Sequence, residues 1–104
     1  MDKEELLRKV KSRLEKAYGK RLDRIVLFGS QARGDSARDS DVDIMILLKG
    51  NIEYGKELRK CIHAIYPLIL ETGRPINPVI ADPDEYEAAE WPLYKSVRKE
   101  GITA

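Results

Sequence analysis

A chain of 104 residues, 42% of them hydrophobic, can bury one core but not two, so residues 1–104 are expected to form a single domain. Nineteen Lys and Arg against eighteen Asp and Glu leave a net charge of +1, which excludes a bulk field drawing the protein to nucleic acid or anionic lipid. The basic stretch between residues 3 and 21 reads as a solvated helix face rather than a nucleic-acid patch. No apolar run reaches the ~18 residues of a membrane span, and "MDKEELLRKVK" lacks the apolar stretch of a signal peptide. The one cysteine, Cys61, has no partner for an intramolecular disulfide and reads as a buried, inert thiol. A cytoplasmic location is the expectation.

Leu6, Leu7, Val10, Leu14, Ala17 and Tyr18 recur at steps of three and four, which predicts a helix over 3–18 that ends at Gly19. "RIVLF" (24–28) reads as a short buried strand running straight into Gly29. A polar loop follows, and "VDIMILL" (42–48) is a strand-length apolar run interrupted only by Asp43, the pattern of a central strand covered on both faces. Between Ile52 and Thr72 the positions Leu58, Ile62, Ile65 and Ile69 predict a second amphipathic helix, with Pro67 expected to kink or interrupt it and Gly73 to end it. "PINPVIA" (75–81) is a third strand, placed near an edge by its two prolines. "DPDEYEAAEW" reads as a turn and short helix, and Pro92 opens a last helix toward Gly101. The order helix, strand, loop, strand, helix, strand, helix predicts an α/β fold in which one layer of helices covers a small sheet.

The chemistry concentrates in "FGSQARGDSARDSDVDIMILL" (28–48), with four aspartates ahead of and within the second strand. Gly29 permits a sharp turn and close backbone approach to an anion. Ser30 adds a hydroxyl and can cap a helical turn whose free N–H groups suit a phosphate oxygen. Arg33 can add a positive charge beside it. Asp41 and Asp43 are two residues apart at the start of a strand, so both carboxylates leave the same face and can share a cation. Magnesium takes such a pair together with waters and phosphate oxygens. Either carboxylate alone is more often a cap or loop contact, but Asp43 lies inside a run expected to be buried, where an uncompensated charge is costly. Asp35 and Asp39 read as loop formers. His63 reads as an ordinary helix residue. Trp91, Tyr86 and Tyr94 fit either a partner-binding surface or packing of the last helix, with packing preferred.

The spacing Gly29-Ser30, ten residues, Asp41-Val42-Asp43 resembles the signature of the nucleotidyltransferase superfamily that includes DNA polymerase beta. "FGSQARGDxxxxSDxDIMIL" is most similar to its minimal nucleotidyltransferases, and the closing "KEG" (99–101) extends the likeness. The resemblance implies a single-domain polymerase-beta-like fold, a small mixed sheet with helices packed on it. It also implies transfer of a nucleoside monophosphate, commonly AMP from ATP, to a hydroxyl. Gly29 and Ser30, with Arg33, would hold the triphosphate, and Asp41 and Asp43 would be catalytic and bind magnesium. Many minimal members resemble antitoxins paired with a helical HEPN-domain partner, whose tyrosine some of them modify with AMP, which implies a hetero-oligomer. A third carboxylate usual in the family falls on Asn77 here, and an amide is no base. Asp82, five residues on and ~16 Å along an extended strand, is a distant substitute. Two readings therefore stand: a magnesium-dependent enzyme that modifies a protein partner, or a weak or inactive nucleotide-binding subunit that neutralises its partner by contact.

Overall fold

The computed structural model describes residues 2–29, 32 and 41–104. The chain opens with helix α1 (Lys3–Tyr18), capped by the Asp2 carboxylate accepting from the Glu5 N–H at 2.8 Å. Gly19 ends it and a single 3-10 turn leads into strand β1 (Leu22–Phe28). Strand β2 (Val42–Leu48), helix α2 (Tyr54–Thr72) and strand β3 (Ile76–Ala81) follow, then two short helices, α3 (Pro83–Ala88) and α4 (Pro92–Glu100), and a two-residue strand, β4 (Ile102–Thr103).

The sheet order is β3-β2-β1-β4. β1 is antiparallel to both its neighbours, whereas β2 and β3 run parallel. A parallel pair cannot be joined by a tight turn and needs a crossover, which α2 supplies. β3 is an edge strand, as its prolines predict. β4 was not legible as a strand. It pairs with Val26 and Leu27, and Gly101 permits the return, because a Cβ there would run into Val26 and the Val97 carbonyl.

Alternation along β2 divides the core in two. Val42, Ile44, Ile46 and Leu48 join Leu6, Val10, Leu14, Ile25, Leu27, Cys61 and Ile65 beneath α1 and α2. Met45 and Leu47 point the other way and join Val26, Ala81, Tyr86 and Val97 beneath α3 and α4. The expected single layer of helices is thus corrected: both sheet faces are covered, because β2 is apolar on both.

Two expectations for α2 are also corrected. Its buried residues are Glu57, Cys61, Ile65 and Leu68. Leu58 and Ile62, part of the apolar stripe that predicted the helix, are 36% and 42% exposed. The buried face is turned toward α1, where Tyr18 donates its hydroxyl to the Glu57 carbonyl at 2.7 Å. Pro67 does not interrupt the helix. Pro67 and His63, whose carbonyl loses its donor, are both exposed, so water can satisfy that acceptor. Cys61 is fully buried, and desolvation pushes its thiol up to about 12, as an inert core residue requires.

Glu57 is buried but paired: Arg21 reaches its carboxylate at 2.7 Å and also donates to the carbonyls of Lys49 and Asn51. The Arg21 hydrogen bond holds the Glu57 carboxyl below the usual range, against desolvation that raises it. A lowered carboxylate stabilises the fold above its unfolded value, ~4.3, and the contribution is lost as pH falls through the folded value. Urea unfolding between pH 7 and pH 3 should therefore show a smaller pH-dependent loss for Glu57→Gln than for the parent chain. Arg21→Ala should cost about 2 kcal/mol at pH 7, less than a fully buried pair because the Arg21 side chain is 37% exposed.

Candidate active site

Three strand ends meet at one corner of the sheet. Asp41 lies just before β2 and Asp43 is its second residue, so strand alternation sends both side chains to the face that carries Met45 and Leu47. The parallel register places Asn77 of β3 beside Asp43, and the antiparallel register places Phe28 of β1 on its other side. The chain leaves β1 at Gly29, whose φ is +76°, and the Gly29 carbonyl accepts from the Ala32 N–H at 3.1 Å, closing a turn.

The Asn77 amide nitrogen donates to Asp41 Oδ2 at 3.2 Å and to Asp43 Oδ1 at 3.3 Å. A single atom within reach of both carboxylates shows that their oxygens converge on one point. This is the arrangement a shared cation needs. Gly29 closes the corner from the β1 side. A Cβ there would lie 2.5 Å from Asp43 Oδ2, so any other residue would push that carboxylate aside, and the positive φ independently favours glycine.

Asp41 and Asn77 are exposed and Asp43 is half-buried. The expectation of a buried Asp43 charge is corrected: every other residue of β2 is buried, but Asp43 is only half-buried at the sheet's open end. Among the described residues, no group of three or more His, Cys, Asp or Glu side chains could hold a metal ion; the oxygens present at this corner are those of two aspartates and one amide. Ser30, Arg33, Asp35 and Asp39 lie outside the described residues. Asp82 is not at this corner. It caps α3 past the far end of β3, accepting from the Glu85 N–H at 3.1 Å. His63 is exposed on α2. Of the aromatic cluster, Tyr86 and Tyr94 pack edge to face at 6.1 Å in the second core, whereas Trp91 is 62% exposed. Arg24 stacks over the Tyr86 ring and pairs with Glu87, tying α3 to β1.

Residues 5–103 match the nucleotidyltransferase domain family. The chain belongs to that family. A Methanocaldococcus jannaschii protein, MJ0604, provisionally assigned as a protein adenylyltransferase, is 29% identical over 97% of this chain and 96% of its own length. A second protein of that organism with the same provisional assignment, MJ0141, is 37% identical over 73% of this chain and 76% of its own. Among solved structures, a toxin-antitoxin complex with AMP-PNP superposes with a TM-score of 0.67 at 22% identity, covering 93% of this chain and 70% of that one. An MNT antitoxin in complex with a tri-AMPylated HEPN toxin of Shewanella oneidensis gives 0.60 at 16% identity, covering 96% and 69%. These likenesses establish the polymerase-beta-like nucleotidyltransferase fold. In this nucleotidyltransferase domain the Asp-x-Asp pair, the glycine and Asn77 come together at one corner, from three different strands.

Gly29→Ala is expected to displace the Asp43 carboxylate and to cost about 1–2 kcal/mol through strain at positive φ. Urea unfolding measures the second effect, and a change in the NMR chemical shift of the Asp43 carboxylate carbon measures the first.

Proposed function

We propose that this nucleotidyltransferase domain transfers AMP from ATP to a hydroxyl of a HEPN-domain protein partner, with which it forms a hetero-oligomeric toxin-antitoxin pair. The observation that carries the reading is the convergence of Asp41 and Asp43 on one point beside Gly29. The two relatives assigned as protein adenylyltransferases and the fold shared with an MNT antitoxin support the acceptor and the partner.

The donor set fits a magnesium ion: two carboxylates with hard oxygens on one face, open to solvent and to phosphate oxygens. When bound, the ion would neutralise charge on the triphosphate and the leaving pyrophosphate. Asp41 and Asp43 would hold it, and Gly29 and Ser30, with Arg33, would bind the triphosphate. The acceptor oxygen forms a bond to the α-phosphorus, the bond to the β-phosphate oxygen breaks, and pyrophosphate leaves. In this reading Asn77 takes the position of the third carboxylate usual in the family. Its amide positions both aspartates, but it accepts no proton, so the hydroxyl proton passes to water.

That same amide favours a second reading, in which the domain binds nucleotide, transfers AMP slowly or not at all, and restrains its partner by contact. The two separate experimentally. With α-labelled ATP and magnesium, the enzyme reading expects label on the partner that disappears in Asp41→Asn/Asp43→Asn, and the contact reading expects a stoichiometric complex without label. Asp43→Asn should weaken magnesium-ATP binding at least tenfold by calorimetry while changing stability by less than ~1 kcal/mol, because Asp43 is only half-buried. Asn77→Asp should raise the transfer rate roughly tenfold or more, the scale of a positioned general base. An unchanged rate would remove Asn77 from the third-carboxylate position.

A further inference from the structure

The face of α2 that the core leaves uncovered is itself apolar. Leu58, Ile62, Tyr66 and Leu70 follow one another at steps of four and are 36%, 42%, 52% and 66% exposed. They form a row ~18 Å long on a helix rising 1.5 Å per residue. Isolated exposed apolar residues are ordinary, but a contiguous row marks an interaction surface. We propose that this flank of α2 is the docking surface for an amphipathic helix of the partner protein, one whose apolar row is bordered by Asp and Glu.

Contacts to α1 fix which flank this is. Tyr18 meets Glu57, Lys60 lies 4.8 Å over the Tyr18 ring, and Lys9 pairs with Glu71 at 3.0 Å. On a helical wheel these residues lie opposite Ile62 and Tyr66. Because α1 rests on β1 and α2 on β3, the apolar flank overhangs the open edge of β3. Arg59, Ile62, His63, Tyr66 and Pro67 line a shallow, open depression on the outer surface of α2 itself.

The occupant follows from chemistry. An added strand is disfavoured because Pro78 in β3 has no N–H to offer it. A second copy of this chain is disfavoured by charge. Between residues 54 and 70 the only acid is Glu57, which is buried against Arg21, so the rim of the row carries Lys56 and Arg59. Two copies packed on this row would each offer the other Lys56 and Arg59, and no acid between residues 54 and 70 except the buried Glu57. Parallel packing would oppose each cation to itself. Like charges across an interface are costly, and a basic rim selects an acidic one. The carboxylates lie on the opposite face of the sheet, so an occupant here leaves the nucleotide corner open. β3 carries Asn77 on that other face, so a chain leaving this flank reaches the corner by passing round one strand.

This inference rests on the partner reading above. Its test is sedimentation and calorimetry of this chain with the HEPN-domain protein from its own source, beside Ile62→Glu/Tyr66→Glu and Arg59→Glu, with magnesium-ATP binding measured on each. The expected result is a wild-type complex, weakened on the order of a hundredfold by the double variant, the scale of losing central anchors. Arg59→Glu should weaken it most at low salt. Nucleotide binding should be unchanged in all three, which also shows that each is folded. A complex equally tight with the double variant, or tighter with Arg59→Glu, would overturn the docking surface alone. Self-association of the isolated chain that Ile62→Glu/Tyr66→Glu abolishes would overturn it in favour of a second copy. Absence of any wild-type complex would overturn the partner reading and this surface with it.

Discussion

The parallel pairing of β2 with β3 is the constraint on which the site depends. It sets Asp43 beside Asn77, and a slip of one residue would send every β3 side chain to the other face. Asn77 would then lie under α2 and the two aspartates would lose their common hydrogen-bond donor. The pairing is possible only because α2 carries the chain back across the sheet, so the crossover helix and the candidate active site are parts of one device.

Several contacts hold that device in register. On one face, Tyr18 and Arg21 grip Glu57 and the turn after β2, tying α1 and the start of β1 to the first turns of α2. On the other, Arg24 joins α3 through Tyr86 and Glu87. β2 is consequently packed on both faces over most of its length. Of its residues only Asp43 escapes full burial, and there, beside the exposed Asp41, the carboxylates can meet solvent, phosphate and a cation. A functional corner at the open end of an otherwise buried strand avoids the cost of interring two carboxylates.

The two faces divide the work proposed for this domain. One carries Asp41, Asp43 and Asn77 at the corner beside Gly29. The other carries α2, whose outer flank is apolar and bordered by cations. In the proposed reading the acceptor hydroxyl belongs to another chain and has to be presented to the carboxylates. A docking flank beside the edge strand that carries Asn77 is a physical means of bringing that acceptor near.

Much of this was legible in the residues. Short apolar runs located β1, β2 and β3, apolar spacing of three and four located α1, and the prolines placed β3 at an edge. The Gly-Ser and Asp-x-Asp spacing singled out the carboxylates, since alternation along a strand is a local property that needs no fold to be read. The phase of α2 was not legible, because apolar residues occupy more than half its circumference: Leu58 and Ile62 are as hydrophobic as Ile65 and Leu68. Only the position of α1 on one side and the edge of β3 on the other decides which are buried. β4 is too short to show a period, and the second layer of helices follows from long-range packing of Tyr86 and Val97. The sequence by itself determined the strands β1, β2 and β3, the carboxylate pair and the identity of Asn77. The tertiary structure decided that Asn77 bonds both aspartates and that one helix flank remains bare, because register and helix phase are set by contacts between residues distant along the chain.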